Sequence, residues 1–118
     1  MYITLNYTGN NGNICLQWSV QTNVLELKCV IQKLHFKVEI LNSYGLLQGY
    51  CLSPYPTTYC HVVSTNMTLT QNVTLNETVL REHGNIDSKI NGLWTFRHGT
   101  NMDESSVNIT ILNEKGKF

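Results

Sequence analysis

Hydrophobic positions recur along this chain with a period of two. Residues 24–31 set Leu25, Leu27, Cys29 and Ile31 on one side and Glu26 and Lys28 on the other. Residues 34–41 repeat the pattern, with Leu34, Phe36, Val38 and Ile40 against His35, Lys37 and Glu39. Successive side chains of a strand point to opposite faces, so this alternation predicts strands with one buried face. Residues 62–75 alternate for long enough to make two strands or one bent strand. Residues 92–98 alternate through Gly92, Trp94, Phe96 and His98, and residues 106–112 around Val107, Ile109 and Ile111. Turn-forming clusters separate the runs: Asn10-Asn11-Gly12, Asn42-Ser43-Tyr44-Gly45, Gly84-Asn85 and His98-Gly99-Thr100-Asn101. No segment carries a helical stripe. The pattern predicts an all-β, two-layer antiparallel β-sandwich in which Leu27, Cys29, Phe36, Val38, Trp94, Phe96 and Val107 are buried.

A length of 118 residues suits a single domain. Residues 1–21 read as an N-terminal strand region of the same module. Residues 22–112 form its core, and residues 113–118, where the alternation stops, read as a tail. The start of the chain has neither the basic region nor the apolar run of a signal peptide. No stretch reaches the roughly 20 apolar residues of a membrane helix. The expectation is therefore a domain excised from a longer protein, with no direct membrane insertion of this fragment.

Charged residues make up only 14% of the chain, against about 25% in an average soluble domain. Asn and Thr supply polarity in their place, as is common among secreted proteins. The formal net charge is zero and Lys and Arg do not cluster, which argues against a nucleic-acid partner.

Five N-x-[ST] acceptors begin at Asn6, Asn66, Asn72, Asn76 and Asn108, none with Pro in the middle. Each falls on the polar phase of its local alternation. Ile3, Leu5 and Tyr7 surround the first; Val63, Met67, Leu69, Val73 and Leu75 surround the next three; Val107, Ile109 and Ile111 surround the last. A glycan needs that placement because it cannot enter a core. At least three of the five are expected to carry sugar in a eukaryotic secretory pathway.

Four cysteines allow three pairings. Cys51 and Cys60 flank a short loop with Pro54 and Pro56, whose closure entropy is small, and are expected to bond to each other. Two readings remain for the other two: a cross-strand bridge between Cys15 and Cys29, or a buried Cys29 thiol with Cys15 pairing outside the fragment. Zinc-ligand spacing is absent.

Candidates for catalysis are thin. His35, His61, His83 and His98 are scattered without catalytic spacing, and Asp87, Asp103 and Glu104 show no pairing beyond a loop cluster. There is no phosphate-binding Gly-rich loop and no nucleophile elbow, so the expectation is a non-enzyme without cofactor or metal. The richer surface is the loop holding Tyr50, Tyr55 and Tyr59, since Tyr gives large contact area at low entropic cost. Arg97, His98 and Asn101, around the turn after residues 92–98, are the second candidate.

Ile90-Asn91-Gly92-Leu93-Trp94-Thr95-Phe96 resembles strand F of an immunoglobulin-like domain, whose pattern is D-x-G-x-Y-x-C. Gly92 matches, Trp94 takes the aromatic corner position, Phe96 stands where the second core Cys belongs, and Ile90 replaces the Asp. His98–Asn101 then resembles the F–G loop and Ser105–Leu112 strand G. Cys29, 67 residues before Phe96, resembles the strand B Cys, and residues 34–41 strand C, with Val38 or Ile40 in place of the family's Trp. Trp94 followed by His98-Gly99 is similar to some invertebrate surface or secreted members. The resemblance covers residues 22–112 and implies an immunoglobulin-like sandwich without the usual B–F bridge. It implies an extracellular binding module of a cell-surface receptor or adhesion protein, whose partner is another protein or a cell-surface glycan. The alternatives are a secreted defence or recognition module, or a glycosylated spacer.

Overall fold

The computed structural model describes residues 4–11, 14–84, 86–99 and 103–111, and for 4–11, 15 and 103 it describes the backbone. The strands are β1 (Thr4–Asn11), β2 (Ile14–Gln21), β3 (Val24–Ile31), β4 (Val38–Leu41), β5 (Leu47–Cys51), β6 (Cys60–Val62), β7 (Met67–Asn72), β8 (Glu77–His83), β9 (Gly92–His98) and β10 (Asp103–Ile109). A single 3-10 turn, Ser88–Ile90, precedes β9. Two antiparallel sheets form, ordered β1-β2-β3-β8-β7 and β10-β9-β4-β5-β6. This is a β-sandwich whose second sheet has the strand order G-F-C-C′-C″ of an immunoglobulin-like variable-type arrangement, and whose first has the order A-B-E-D plus one N-terminal strand.

The core lies between the sheets and follows the alternation closely. From the first sheet come Leu16, Trp18, Leu25, Leu27, Cys29, Ile31 and Leu80; from the second come Val38, Ile40, Cys51, Trp94, Phe96, Val107 and Ile109. Gly49 is required by close approach: a Cβ there would sit 2.9 Å from the carbonyl oxygen of His61 and 3.0 Å from Leu69 of the facing sheet. Gly92 has φ +128°, and a Cβ would lie 2.6 Å from Ser43, so the entry to β9 needs glycine for both conformation and space. Just beyond it the Trp94 indole donates to the carbonyl of Ile90 at 2.8 Å, satisfying the ring nitrogen at the corner. Asn91 clamps the chain after β10, its Oδ1 accepting from Ile111 N–H at 2.7 Å and its Nδ2 donating to Ile111 C=O at 3.3 Å.

Six of the seven expected core residues are buried; Phe36 is not, being 58% exposed. The alternation through residues 34–41 predicts one continuous strand, whereas β4 starts only at Val38. Residues 32–37 turn away from the sheet. Phe36 N–H donates to Nε2 of His98 at 3.1 Å instead of to a neighbouring strand, and Lys37 C=O accepts from Gly99 N–H at 2.9 Å. Leu34 is still buried. The alternation of residues 62–75, expected to make two strands or one bent strand, holds one strand, β7, between turns at 63–66 and 73–76; β6 ends at Val62 and belongs to the other sheet.

Candidate binding surface

Three connections meet at one end of the second sheet: residues 32–37 before β4, residues 52–59 between β5 and β6, and the turn after β9. The middle loop is closed by the Cys51–Cys60 disulfide, whose cysteines are direct cross-strand partners in β5 and β6. Leu52 N–H donates to Tyr59 C=O at 2.9 Å, so the pairing runs one step past the bridge. Ser53 Oγ donates to His35 C=O at 2.8 Å and joins the loop to the segment before β4.

On this frame the apolar side chains face outward. Tyr55 (55% exposed) stacks on His35 with ring centroids 5.5 Å apart. Phe36 leans on His98 at 5.5 Å and passes within 3.5 Å of where a Cβ on Gly99 would be. Tyr59 and Leu52 are exposed as well. His98 itself is 6% exposed and points inward, in register with Val38 and then Cys51. Its position in the sequence suggests a contact residue; its geometry makes it the support on which Phe36 rests, because β9 is still paired and in its inward phase at residue 98. Asn101, the other candidate of that loop, lies outside the described residues.

Beside this patch a transverse row crosses the outer face of the sheet: Glu104, Arg97, Glu39, Tyr50 and His61 are successive cross-strand partners on β10, β9, β4, β5 and β6. Arg97 and Lys37 each reach a Glu39 oxygen at 3.6 Å, Lys37 stands over the Tyr50 ring at 5.2 Å, and Tyr50 meets the His61 ring at 5.4 Å. Arg97 Nε is buried without a hydrogen-bond partner. Tyr50 and Arg97 are half-buried within this row, whereas Tyr55 and Tyr59 extend from the loop. Among the described residues no group of three or more His, Cys, Asp or Glu side chains comes together, and no helix is long and apolar enough to cross a membrane.

The glycan acceptors differ in what their amides do. Asn66, Asn72 and Asn108 are exposed and Asn76 is half-buried. Asn72 uses Oδ1, accepting from Thr74 and Leu75 N–H at 3.0 and 3.2 Å, and so leaves its nitrogen out of the turn. Asn66 donates from Nδ2 to His83 C=O at 3.0 Å and accepts from the Ser64 hydroxyl. Asn76 adopts φ +57° and donates from Nδ2 to Gln32 C=O at 3.1 Å. That left-handed conformation suits Asn, so Asn76 has a structural task whether or not it carries sugar. Asn6 is opposite Trp18 in the register, and its side chain lies outside the described part, as does that of Cys15. Cys15 is paired with Val30, while Cys29, opposite Leu16, is fully buried.

Glu82 is perturbed. It sits between Leu25 and Met67 in register, on the core-facing phase at the rim of the first sheet. Burial, aided by the field of Asp87, raises its carboxyl above the ordinary glutamate value, and a hydrogen bond from Asn66 offsets part of this.

No protein-family model matches the chain, and neither does any curated protein. Sequence reasoning missed Phe36 and Leu52 as surface residues. Phe36 is in phase with Leu34 and Val38, and the partner that turns it outward, His98, is 62 residues away.

Proposed function

We propose that this chain is an extracellular, N-glycosylated binding module of the immunoglobulin superfamily, part of a cell-surface receptor or adhesion protein, and that its partner is another protein or a cell-surface glycan. The observation that carries this reading is the apolar group held outward at one end of the sandwich: Leu52, Tyr55 and Tyr59 on a loop closed by a disulfide, and Phe36 on the neighbouring connection before β4. A fixed loop loses little conformational freedom on binding, and exposed aromatic rings are the side chains that most often dominate an interface. The disulfide fits an oxidising compartment, and the exposed acceptors Asn66, Asn72 and Asn108 fit a secretory route. The sandwich, the strand F pattern at Gly92 and Trp94, and the indole-to-backbone bond at the corner support superfamily membership. The B–F bridge is replaced by the packing of Cys29 and Phe96.

The test is to secrete the module from eukaryotic cells, tetramerise it, and apply it to arrays of cell-surface proteins and of glycans. Binding that falls tenfold or more in Tyr55→Ser and Phe36→Ser, with melting unchanged, supports the reading; tenfold is about 1.4 kcal/mol. Binding to neither array favours a spacer. Binding that ignores both substitutions places the contact elsewhere.

A further inference from the structure

The outer face of the second sheet is polar along most of its length, with the row from Glu104 to His61 and, next to it, Thr95 and Ser106, whose hydroxyls are 2.8 Å apart. Leucines interrupt it. Leu93 on β9 is 57% exposed. Thr95 follows two residues later on the same face, and Leu41 on β4 is its cross-strand partner. Leu47 on β5 is in turn the partner of Leu41, and it too is exposed. Leu93, Leu41 and Leu47 thus run diagonally across three strands, at the end of the face away from the aromatic loops. Leu93 has Asn108 of the edge strand β10 as its direct cross-strand partner. Side chains so paired have Cβ atoms about 4.5–5.5 Å apart, and diagonal neighbours remain within reach of larger groups.

We propose that an N-glycan on Asn108 lies back across β9 and covers these leucines, so that the chain's own sugar shields this part of the sheet. The proposal rests on the glycoprotein reading above. Its chemistry is that of the carbohydrate ring, which presents C–H faces to apolar surface while its hydroxyls stay hydrated; the leucine area removed from water is the driving force. The acceptor is at the rim, on an edge strand, from which the first sugar can extend inward over Leu93. Other acceptors show the same companionship: Leu75, between Asn72 and Asn76, and Val63, near Asn66, are exposed aliphatic side chains.

The experiment is a cycle on the secreted protein using Thr110→Ala, which destroys the acceptor but keeps Asn108, together with Leu93→Thr and the double variant. Thr110 and Leu93 are both exposed, so neither change disturbs the core. Intact mass is read first. Loss of one glycan in Thr110→Ala is the expected result. If the protein carries sugar elsewhere but none at Asn108, the proposal is overturned and the glycoprotein reading stands; if it carries none at all, both fall. Melting is read second. Thr110→Ala should lower the midpoint by about 3–6 °C in the parent and by less than about 1 °C in the Leu93→Thr background. Equal losses in both backgrounds overturn the proposal. Sedimentation is read third: a monomer is expected, and a glycosylated dimer that Leu93→Thr dissociates would show that a second copy is the cover instead.

Discussion

Replacing Cys51 and Cys60 together by Ala isolates what the staple contributes. The bridge closes a sequence separation of only 9 residues. Loop-closure entropy for so short a loop corresponds to about 2.6 kcal/mol at 25 °C. Pro54 and Pro56 already restrict the open loop, so this is the upper end of that term. Cys51 is fully buried, and loss of its sulfur adds a packing cost of about 0.5–1 kcal/mol. The expected total is about 3 kcal/mol, against a plausible whole of about 6–18 kcal/mol for 118 residues. A B–F bridge closing the 67 residues between Cys29 and Phe96 would have given about 4.4 kcal/mol. The short bridge therefore constrains the unfolded chain almost 2 kcal/mol less than one across 67 residues would, and it fixes a loop. Urea unfolding followed by tryptophan fluorescence is the assay, with a midpoint shift of about 1–2 M. Amide exchange should meanwhile rise at residues 52–59 and stay slow in β9. A loss below about 1 kcal/mol, or exchange that rises equally in both places, would refute the argument that the bridge acts locally as well as through the unfolded chain.

Phe96→Ala should cost about 3–5 kcal/mol in the same assay, because the ring is fully buried with Ile40 and Ser105 as cross-strand partners; a loss under about 1.5 kcal/mol would show that it does not fill the bridge position. Glu82→Gln should stabilise the fold at pH 7. The folded-state pKa of Glu82 is raised, so its contribution is fully present below the ordinary glutamate value of 4.5 and is lost as pH rises through the folded value. At neutral pH the half-buried carboxylate is therefore a net cost, and the advantage of Gln should vanish toward pH 4; equal destabilisation at both pH values would contradict this.

The sequence alone determined the elements whose inward positions are uniformly apolar. In β3, Leu25, Leu27, Cys29 and Ile31 all face the core, and in β9 Trp94 and Phe96 do. A period-two pattern of that strength has only one way to bury itself, which fixes both the strand and its facing. The Cys51–Cys60 bond was legible for a similar reason, since a short Pro-containing loop brings its own ends together. β8 shows the limit. Its inward positions are Thr78, Leu80 and Glu82, partners of Cys29, Leu27 and Leu25, while Val79 is on the outer phase. No alternation survives there, and the strand exists because β3 and β7 supply a ladder on both sides and Gln71 satisfies the buried Thr78 hydroxyl at 3.0 Å. Phe36 shows the same limit at the candidate site. Its phase says core, but the His98 ring nitrogen and Gly99 backbone, brought up by pairing across the sheet, take the hydrogen bonds of its segment and turn the ring outward. Local periodicity records which face of a strand is dry. Where a strand stops, and which rings are left at its end, depends on partners distant in sequence that only the assembled sheets bring together.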